Sequence, residues 1–267
     1  MNKSSLLIIL TAFVLNICAW QMSLDYLWSV FLVFGGVTFL LGINAVKEFT
    51  KDNWKLFSGF FVVSNILTLI IEIVMLKFDV WGFSNRVQHL SGITFLTYPI
   101  EEFIYWALCP GIVSFSYILL GKKIEKFINP IKFSRIIRRI SSLKFNTNDS
   151  NIKYTEDNGS GKYNSGKKFP VYIWLQILLI SSIIMLSKYY HGNKKAMFWT
   201  TLIFFSVAFP NELYALSQGF WLYNDAKLLG IYILKVPVEG FLMYFLAPIC
   251  GCMLLDISNR FIFKKDI

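Results

Sequence analysis

The sequence places two adjacent carboxyl groups, Glu101 and Glu102, inside the apolar and aromatic stretch TYPIEEFIYW (residues 97–106). Apolar surroundings favour the neutral form of a carboxyl group, and repulsion between neighbouring carboxylates also favours a proton on one of them. A neutral carboxylic acid that is shielded from water can act as a proton donor. The stretch therefore predicts acid catalysis, with Glu101 as the donor and Glu102 tuning it or sharing its proton.

A second copy of this stretch occurs later in the chain. GITFLTYPIEEFIYWALCP (92–110) aligns without a gap with GIYILKVPVEGFLMYFLAP (230–248), so that Glu101 matches Glu239 and Gly240 stands opposite Glu102. The chain therefore contains two related halves. A further matched pair lies upstream, where a glutamate precedes a tryptophan by nine residues in each half: Glu72 and Trp81, and Glu212 and Trp221.

In the second half, Glu239 is expected either to act as the base or to take the role of Glu101 for that half. Lys235 precedes Glu239 by four residues and is expected to hold it as an anion, while Glu72 and Glu212 complete the polar floor of the site through hydrogen bonds. An alternative is that the buried glutamates only join helices to one another. Four glutamates occupy matching positions in the two halves, as two pairs. An ionisable residue within a membrane is costly, so this repetition favours the catalytic interpretation.

Aromatic side chains surround these glutamates in the sequence. Aromatic faces attract cations, so they are expected to stabilise a carbocation that develops in the site. A tryptophan near the end of a span is also typical of an interfacial anchor, which is the alternative for Trp81 and Trp221. The expected binding residues, with Tyr105 as a further candidate, are Trp81, Tyr98, Phe103, Trp106, Tyr214, Trp221, Phe241 and Tyr244.

The composition indicates that a membrane surrounds these residues. Of 267 residues, 55% are hydrophobic and only 16% are charged, and the mean hydropathy is +0.54. A membrane-spanning helix needs about 20 mostly apolar residues. Seven windows qualify, near 5–20, 26–46, 54–78, 91–120, 171–188, 196–218 and 228–256. The first window also resembles a secretory signal, which would be removed.

Seven spans with two related halves predict an all-α polytopic membrane protein. Three spans per half is an odd number, so the halves are expected to be inverted repeats with the site between them. In a span that starts near residue 91, Glu101 lies roughly 15 Å deep, near the bilayer middle. Pro99 and Pro237 are expected to bend their helices.

A basic segment divides the two halves. Twelve of the 26 Lys and Arg residues lie between Lys122 and Lys168, which predicts a cytoplasmic linker by the positive-inside rule. Its first part (131–145) has the spacing of an amphipathic helix on anionic lipid, a better explanation than nucleic-acid binding. The expected organisation is an extra N-terminal helix (1–25), a first repeat (26–121), the linker (122–169), a second repeat (170–260) and a tail (261–267).

Several kinds of cofactor site have no signature here. No G-x-G-x-x-G motif indicates a dinucleotide, and GSGK (159–162) lacks the spacing of a phosphate-binding loop. The two histidines, His89 and His191, have no metal-ligand spacing, and Arg86 and His89 are expected to be interfacial. The sequence therefore predicts an enzyme with no cofactor and no metal.

The paired motifs PIEEF (99–103) and PVEGF (237–241), each with its upstream tryptophan, resemble the integral-membrane lycopene β-cyclases. The resemblance extends from about residue 26 to 260. It implies redox-neutral cyclisation of the ψ-ends of lycopene to β-ionone rings, with the acidic motif of the family falling on Glu101, Glu102 and Glu239. Gly240 departs from the second acidic residue often found there, which leaves the catalytic share of the second half open.

The resemblance also implies an apolar isoprenoid substrate taken from the bilayer of the cell membrane. Association with other carotenoid enzymes, or a homodimer, is compatible with it. Two alternatives stay open from the sequence: a cyclase for another isoprenoid, such as a C50 carotenoid, and a proton-coupled carrier, which would also place glutamates between inverted repeats.

Overall fold

Helices dominate the molecule. The computed structural model describes residues 3–83, 94–95, 98–124 and 170–263. This part of the chain forms seven helices, in agreement with the seven windows, and confirms the all-α class. They are α1 (Lys3–Gln21), α2 (Tyr26–Glu48), α3 (Lys51–Lys77), α4 (Ile100–Ile124), α5 (Tyr172–Ser187), α6 (Lys194–Gln218) and α7 (Val238–Phe263).

The helices have the lengths and surfaces of a membrane protein. Four stretches are long and apolar enough to cross a membrane: Tyr26–Glu48, Lys51–Lys77, Ile100–Gly121 and Val238–Phe261. Helices α1 and α5 are apolar but shorter. Helix α3 exposes a largely apolar surface, as expected of a helix against lipid, whereas α6 lies in the interior. The chain is therefore a polytopic α-helical membrane protein.

The interior helix α6 is covered from two sides. Helix α4 packs along it from the first half, and α1 packs along it from the N-terminus. The Asn16 side chain in α1 donates to the backbone carbonyls of Ser206 and Val207, each at 3.5 Å. In addition, the Tyr214 hydroxyl donates to the carbonyl of Leu24 just after α1. The extra N-terminal helix thus packs along one side of α6, the central helix of the second half.

Short strands connect the helices, and one strand from each half pairs with the other. Strand β1 (Trp81–Phe83) pairs antiparallel with β4 (Trp221–Tyr223), and the register places Trp81 opposite Tyr223 and Phe83 opposite Trp221. The pairing is symmetric about Gly82 and Leu222, as expected when related segments meet across a two-fold axis. Two hairpins precede α4 and α7: β2 (Thr94–Phe95) with β3 (Tyr98–Pro99), and β5 (Tyr232–Ile233) with β6 (Val236–Pro237).

These hairpins change two of the expectations drawn from the sequence. Pro99 and Pro237 do not bend helices, because each ends a strand directly before a helix begins. A proline is well tolerated there, since the first backbone N–H groups of a helix have no partner within it. The helix expected over 91–120 starts at Ile100, so Glu101 and Glu102 occupy its first turn. Their depth therefore does not follow from counting residues along a span.

Most of the predicted linker lies outside the residues that the structure describes. Residues 125–169 lie outside the described residues, as do Arg86 and His89. The cytoplasmic placement of the linker and its amphipathic helix stay predictions.

Candidate active site

A small polar cavity lies where the two halves meet. Its volume is about 30 Å³, and roughly 10–15 Å³ on the same measure already holds one water molecule. Both halves contribute to its wall, which consists mainly of aromatic rings with two carboxyl groups. The lining residues of this inner cavity are Trp81, Glu102, Tyr105, Trp106, Tyr172, Glu212, Trp221, Tyr223, Met243 and Tyr244.

Glu102 is held in the inner cavity by a tyrosine from the start of α2. The Tyr26 hydroxyl donates to Glu102 Oε2 at 2.9 Å, and both side chains are buried. The Tyr26 ring meets the Trp221 ring edge-on, with centroids 5.0 Å apart. A tyrosine hydroxyl both donates and accepts, so it can remain a partner to either protonation state of the carboxyl group. That property suits a group that gives up a proton and takes one back.

Glu72 is held differently, by two indole groups. Trp81 Nε1 donates to Glu72 Oε1 at 3.0 Å, and Trp106 Nε1 donates to Glu72 Oε2 at 3.1 Å. An indole N–H only donates, so both oxygens of this carboxyl group act as acceptors. Hydrogen bonds donated to a carboxylate stabilise its negative charge. Glu72 therefore has the partners of a base.

Glu212 repeats the tryptophan contact in the second half, with a tyrosine in place of the second indole. Its Oε1 atom accepts from Trp221 Nε1 at 3.1 Å and from the Tyr223 hydroxyl at 2.8 Å. In both halves the tryptophan stands nine residues after the glutamate, and the β1–β4 pair orients both indoles. Trp81 and Trp221 are only 8% and 6% exposed, so they are interior residues of the site and not interfacial anchors.

A larger apolar groove opens beside the inner cavity, between α3 and α4. Its volume is about 290 Å³, at the lower end of the range of roughly 300–1,000 Å³ found for ligand pockets. Its surface is almost entirely apolar, except for Asn65 and two carboxyl groups. The residues of this α3–α4 groove are Asn65, Ile66, Leu69, Glu72, Glu102, Phe103, Trp106 and Ala107.

Glu102 and Trp106 belong to both spaces, and they form the wall between the groove and the inner cavity. A carboxyl group in this wall faces the apolar groove on one side and the aromatic and carboxyl groups of the inner cavity on the other. The arrangement allows this carboxyl group to exchange a proton with either side.

The corresponding cleft of the second half, between α6 and α7, is occupied by aromatic rings. Counting from the matched glutamates, Asn65 and Leu69 correspond to Phe205 and Phe209, and Ala107 corresponds to Phe245. These three phenylalanines and Phe241 pack as one cluster, here called the phenylalanine block. The ring centroids are 5.0 Å apart for Phe205–Phe209, 4.6 Å for Phe205–Phe245 and 5.4 Å for Phe209–Phe241.

The second half also has no carboxyl group at the position of Glu102. A Cβ atom at Gly240 would lie 3.1 Å from the Tyr223 hydroxyl and 3.3 Å from Val236 Cγ1. Tyr223 therefore occupies the space that a second acidic side chain would need. The departure from the family motif at Gly240 is thus matched by a change in packing around it.

The two glutamates that the sequence favoured most do not line either of these spaces. Glu101 and Glu239 are both fully buried in the first turns of α4 and α7. Glu239 Oε1 accepts from the backbone N–H of Leu229 at 2.6 Å, which ties the preceding loop to the helix start. Lys235, expected to hold Glu239 as an anion, is exposed to solvent.

The predicted aromatic residues fall into several groups. Trp81, Trp106, Trp221 and Tyr244 line the inner cavity, Phe103 lines the groove, and Phe241 belongs to the phenylalanine block. Tyr214 packs against Trp20 of α1 with ring centroids 5.7 Å apart. Tyr98 lies in β3, but its side chain is outside the described part of the molecule. Within the described residues, no group of three His, Cys, Asp or Glu side chains could hold a metal ion.

Three tyrosines of the site were missed from the sequence: Tyr26, Tyr172 and Tyr223, which donates to Glu212. Tyr26 and Tyr172 begin the first helix of each half, and both are fully buried. The signal was present as a repeated Tyr-x-Trp, at 26–28 and at 172–174. Their hydroxyls differ in partner, since Tyr26 donates to Glu102, whereas Tyr172 donates to Met243 Sδ at 3.5 Å.

A family model of lycopene cyclases matches residues 24–120 and 169–257, which is most of the chain. The chain belongs to the lycopene cyclase family. Membership makes it a membrane enzyme of carotenoid cyclisation with an apolar isoprenoid substrate, and it separates the protein from the carrier that the sequence also allowed. No curated protein matched the chain, and neither did any solved structure.

Proposed function

We propose that this lycopene cyclase converts the linear ψ-ends of lycopene to β-ionone rings, without a cofactor, with Glu102 as the acid and Glu72 as the base. The observation that supports this best is the position of Glu102 in the wall between the apolar groove and the polar inner cavity. Glu72 lines the same groove, so both carboxyl groups face the space that fits an apolar end group.

The reaction is balanced in atoms and electrons. The Glu102 proton bonds to C2 of the terminal C1–C2 double bond and leaves a cation at C1. The electron pair of the C5–C6 double bond then forms the C1–C6 bond, and the positive charge moves to C5. Glu72 removes the proton from C6, which restores the C5–C6 double bond. Proton transfer from Glu72 to Glu102 resets the site, and the net change is an isomerisation.

The rings around the two carboxyl groups suit the cationic intermediates. Trp106 borders the groove directly, and Tyr105 packs against it with centroids 5.1 Å apart. Aromatic faces stabilise a nearby cation by about 0.5–2 kcal/mol or more, depending on how far it is shielded from water. Glu212 faces the inner cavity behind Glu102, and its role is to fix Trp221 and Tyr223 in place.

The test is expression in a bacterial host that accumulates lycopene, with pigments resolved by chromatography and mass spectrometry. The wild type is expected to form cyclic products of unchanged mass. Glu102→Gln and Glu72→Gln are expected to lower cyclisation by at least about 100-fold, the usual contribution of a positioned acid or base. Glu48→Gln, at the exposed end of α2, is the matched control.

Two further variants test the other buried glutamates. Glu101→Gln decides between Glu101 and Glu102 as the donor, and it is expected to retain more activity than Glu102→Gln. Glu239→Gln shows whether the second half is needed. Equal cyclisation by Glu102→Gln and wild type, at equal amounts in the membrane, would refute the assignment of the acid. Unchanged lycopene with the wild type would instead direct the search to another isoprenoid, such as a C50 carotenoid.

A further inference from the structure

The two clefts between neighbouring helices of this molecule differ in what fills them. The α3–α4 groove is open and apolar, and the carboxyl groups Glu72 and Glu102 are part of its lining. In the second half, side chains of the phenylalanine block stand at the matching positions and pack against one another. The matching clefts of the two halves therefore differ: the first is open and the second is filled by side chains.

The surroundings of the groove indicate where its ligand comes from. Ile66 lines the groove and is 54% exposed, and Val62, one turn earlier on α3, is equally apolar and exposed. Such a surface is covered by lipid chains in a membrane. A ligand that reaches the groove from this side must therefore itself be apolar and dissolved in the bilayer.

The carboxyl groups in the groove favour a polyene over an ordinary lipid chain as its ligand. A saturated acyl chain gains nothing from a proton donor, whereas a terminal double bond placed against Glu102 and beside the Trp106 ring can be protonated. The inner cavity, at about 30 Å³, has no room for a ring-forming end group. The groove, at about 290 Å³, is the larger of the two spaces that Glu102 faces.

We infer that the α3–α4 groove is the port through which one end of a linear polyene reaches the carboxyl groups sideways from the bilayer, and that the phenylalanine block closes the corresponding route in the second half. The enzyme then has one catalytic centre and works on one end of its substrate at a time. This inference rests on the proposed function for the identity of the polyene.

The experiment measures binding separately from turnover. Purified protein in nanodiscs of phosphatidylcholine is loaded with lycopene, and the bound pigment per protein is read from its absorbance. Leu69→Phe/Ala107→Phe copies two residues of the phenylalanine block into the groove. We expect this double variant to bind roughly tenfold less lycopene than wild type, on the order of 1.4 kcal/mol, because the two added rings take up space that the bound polyene would occupy.

A second pair of variants guards against loss of the fold. Ile66→Trp adds bulk at the rim of the groove, and Val63→Trp adds the same bulk at a similarly exposed position, 57% compared with 54%, on the same helix. Both positions face lipid, so both variants are expected to fold. Ile66→Trp is expected to lower binding and Val63→Trp to leave it unchanged.

The outcomes separate this inference from the proposed function. Cyclisation that survives both groove variants would overturn the port and leave the enzymatic assignment intact. A second outcome is that wild type binds lycopene, the groove variants do not, and no cyclic product forms. That outcome would retain the port and overturn lycopene as the substrate of the reaction. Nanodisc lipid as the sole occupant, with no lycopene bound by wild type, would overturn the inference.

Discussion

The two halves of the chain use the same set of positions for different purposes. In the first half, Glu72 and Glu102 border an open apolar groove. In the second half, Glu212 is retained with its tryptophan, but Gly240 replaces the second acid and phenylalanines fill the cleft. The difference teaches that the chain holds two copies of a carboxyl–indole unit, of which one borders an open apolar groove and the other lines the inner cavity behind it.

The largest effect is expected from moving the acid between the halves. Glu102→Gln/Gly240→Glu keeps the number of carboxyl groups but places the acid in the second half, in tight contact with Tyr223 and Val236 and outside the groove. We expect cyclisation to stay at least about 100-fold below wild type, as for Glu102→Gln alone. Product analysis in the lycopene-accumulating host measures this, and restored activity would show that the halves are interchangeable.

A smaller effect is expected at the tyrosines that begin α2 and α5. Tyr26→Phe removes the donor to Glu102, and a hydrogen bond to a charged or proton-donating group is worth about 1.5–3 kcal/mol. We therefore expect cyclisation to fall by roughly 10-fold to 100-fold. Tyr172→Phe removes the matching hydroxyl of the second half, which contacts Met243 and Tyr223 and not a carboxyl group, and serves as the comparison variant. Equal losses in both variants would argue for a structural role common to the two tyrosines.

The phenylalanine block is expected to influence stability more than activity. Phe245→Ala removes ring contacts to Phe205 and Phe241, with centroids 4.6 Å and 5.3 Å apart. Aromatic pairs contribute about 0.5–1.5 kcal/mol each, so the free energy of unfolding should fall by about 1–3 kcal/mol. Thermal unfolding in detergent measures the loss, while the product pattern should not change. New cyclic products from this variant would indicate a latent second site.

The smallest effect is expected from separating the halves. A chain cut between residues 125 and 169 and expressed as two pieces should still cyclise lycopene, because α4 packs along α6 and β1 pairs with β4 without any need for the linker. Co-purification of the two pieces and their product yield measure this. Inactive pieces that nevertheless co-purify would assign the linker a part in catalysis.

Much of the fold could be predicted from the sequence, because apolar windows of sufficient length predict membrane helices directly. The carboxyl–tryptophan spacing was equally visible, and its geometry follows from the β1–β4 pair. The choice between Glu101 and Glu102 could not be predicted, since neighbouring residues on a helix point about 100° apart and only tertiary packing decides which one faces the site. The phenylalanine block escaped notice because phenylalanine is common throughout an apolar chain, with 26 copies here.

The hairpins were missed for a related reason. Residues 228–237 are apolar enough to extend the following helix, yet Gly230 and Leu234 adopt positive φ angles of 79° and 59° that no helix allows. Composition alone does not reveal such a turn. The helix start, and with it the orientation of the glutamate that follows, depends on this local backbone geometry.

One turn of α2 determines how the loss of a residue would affect the position of Tyr26, which donates to Glu102. Residues Phe31–Gly35 form a π-helical turn, which accommodates one residue more than an α-helix would over the same stretch. Removal of one residue there would restore the regular helix and leave Tyr26 in phase with Val37, so Tyr26 should still reach Glu102. Removal of one residue from the regular part of α2 after this turn would instead rotate Tyr26 by about 100° relative to the end of the helix and turn it away from Glu102. The π-helical turn is thus expected to tolerate the loss of one residue, whereas the regular helix after it should not.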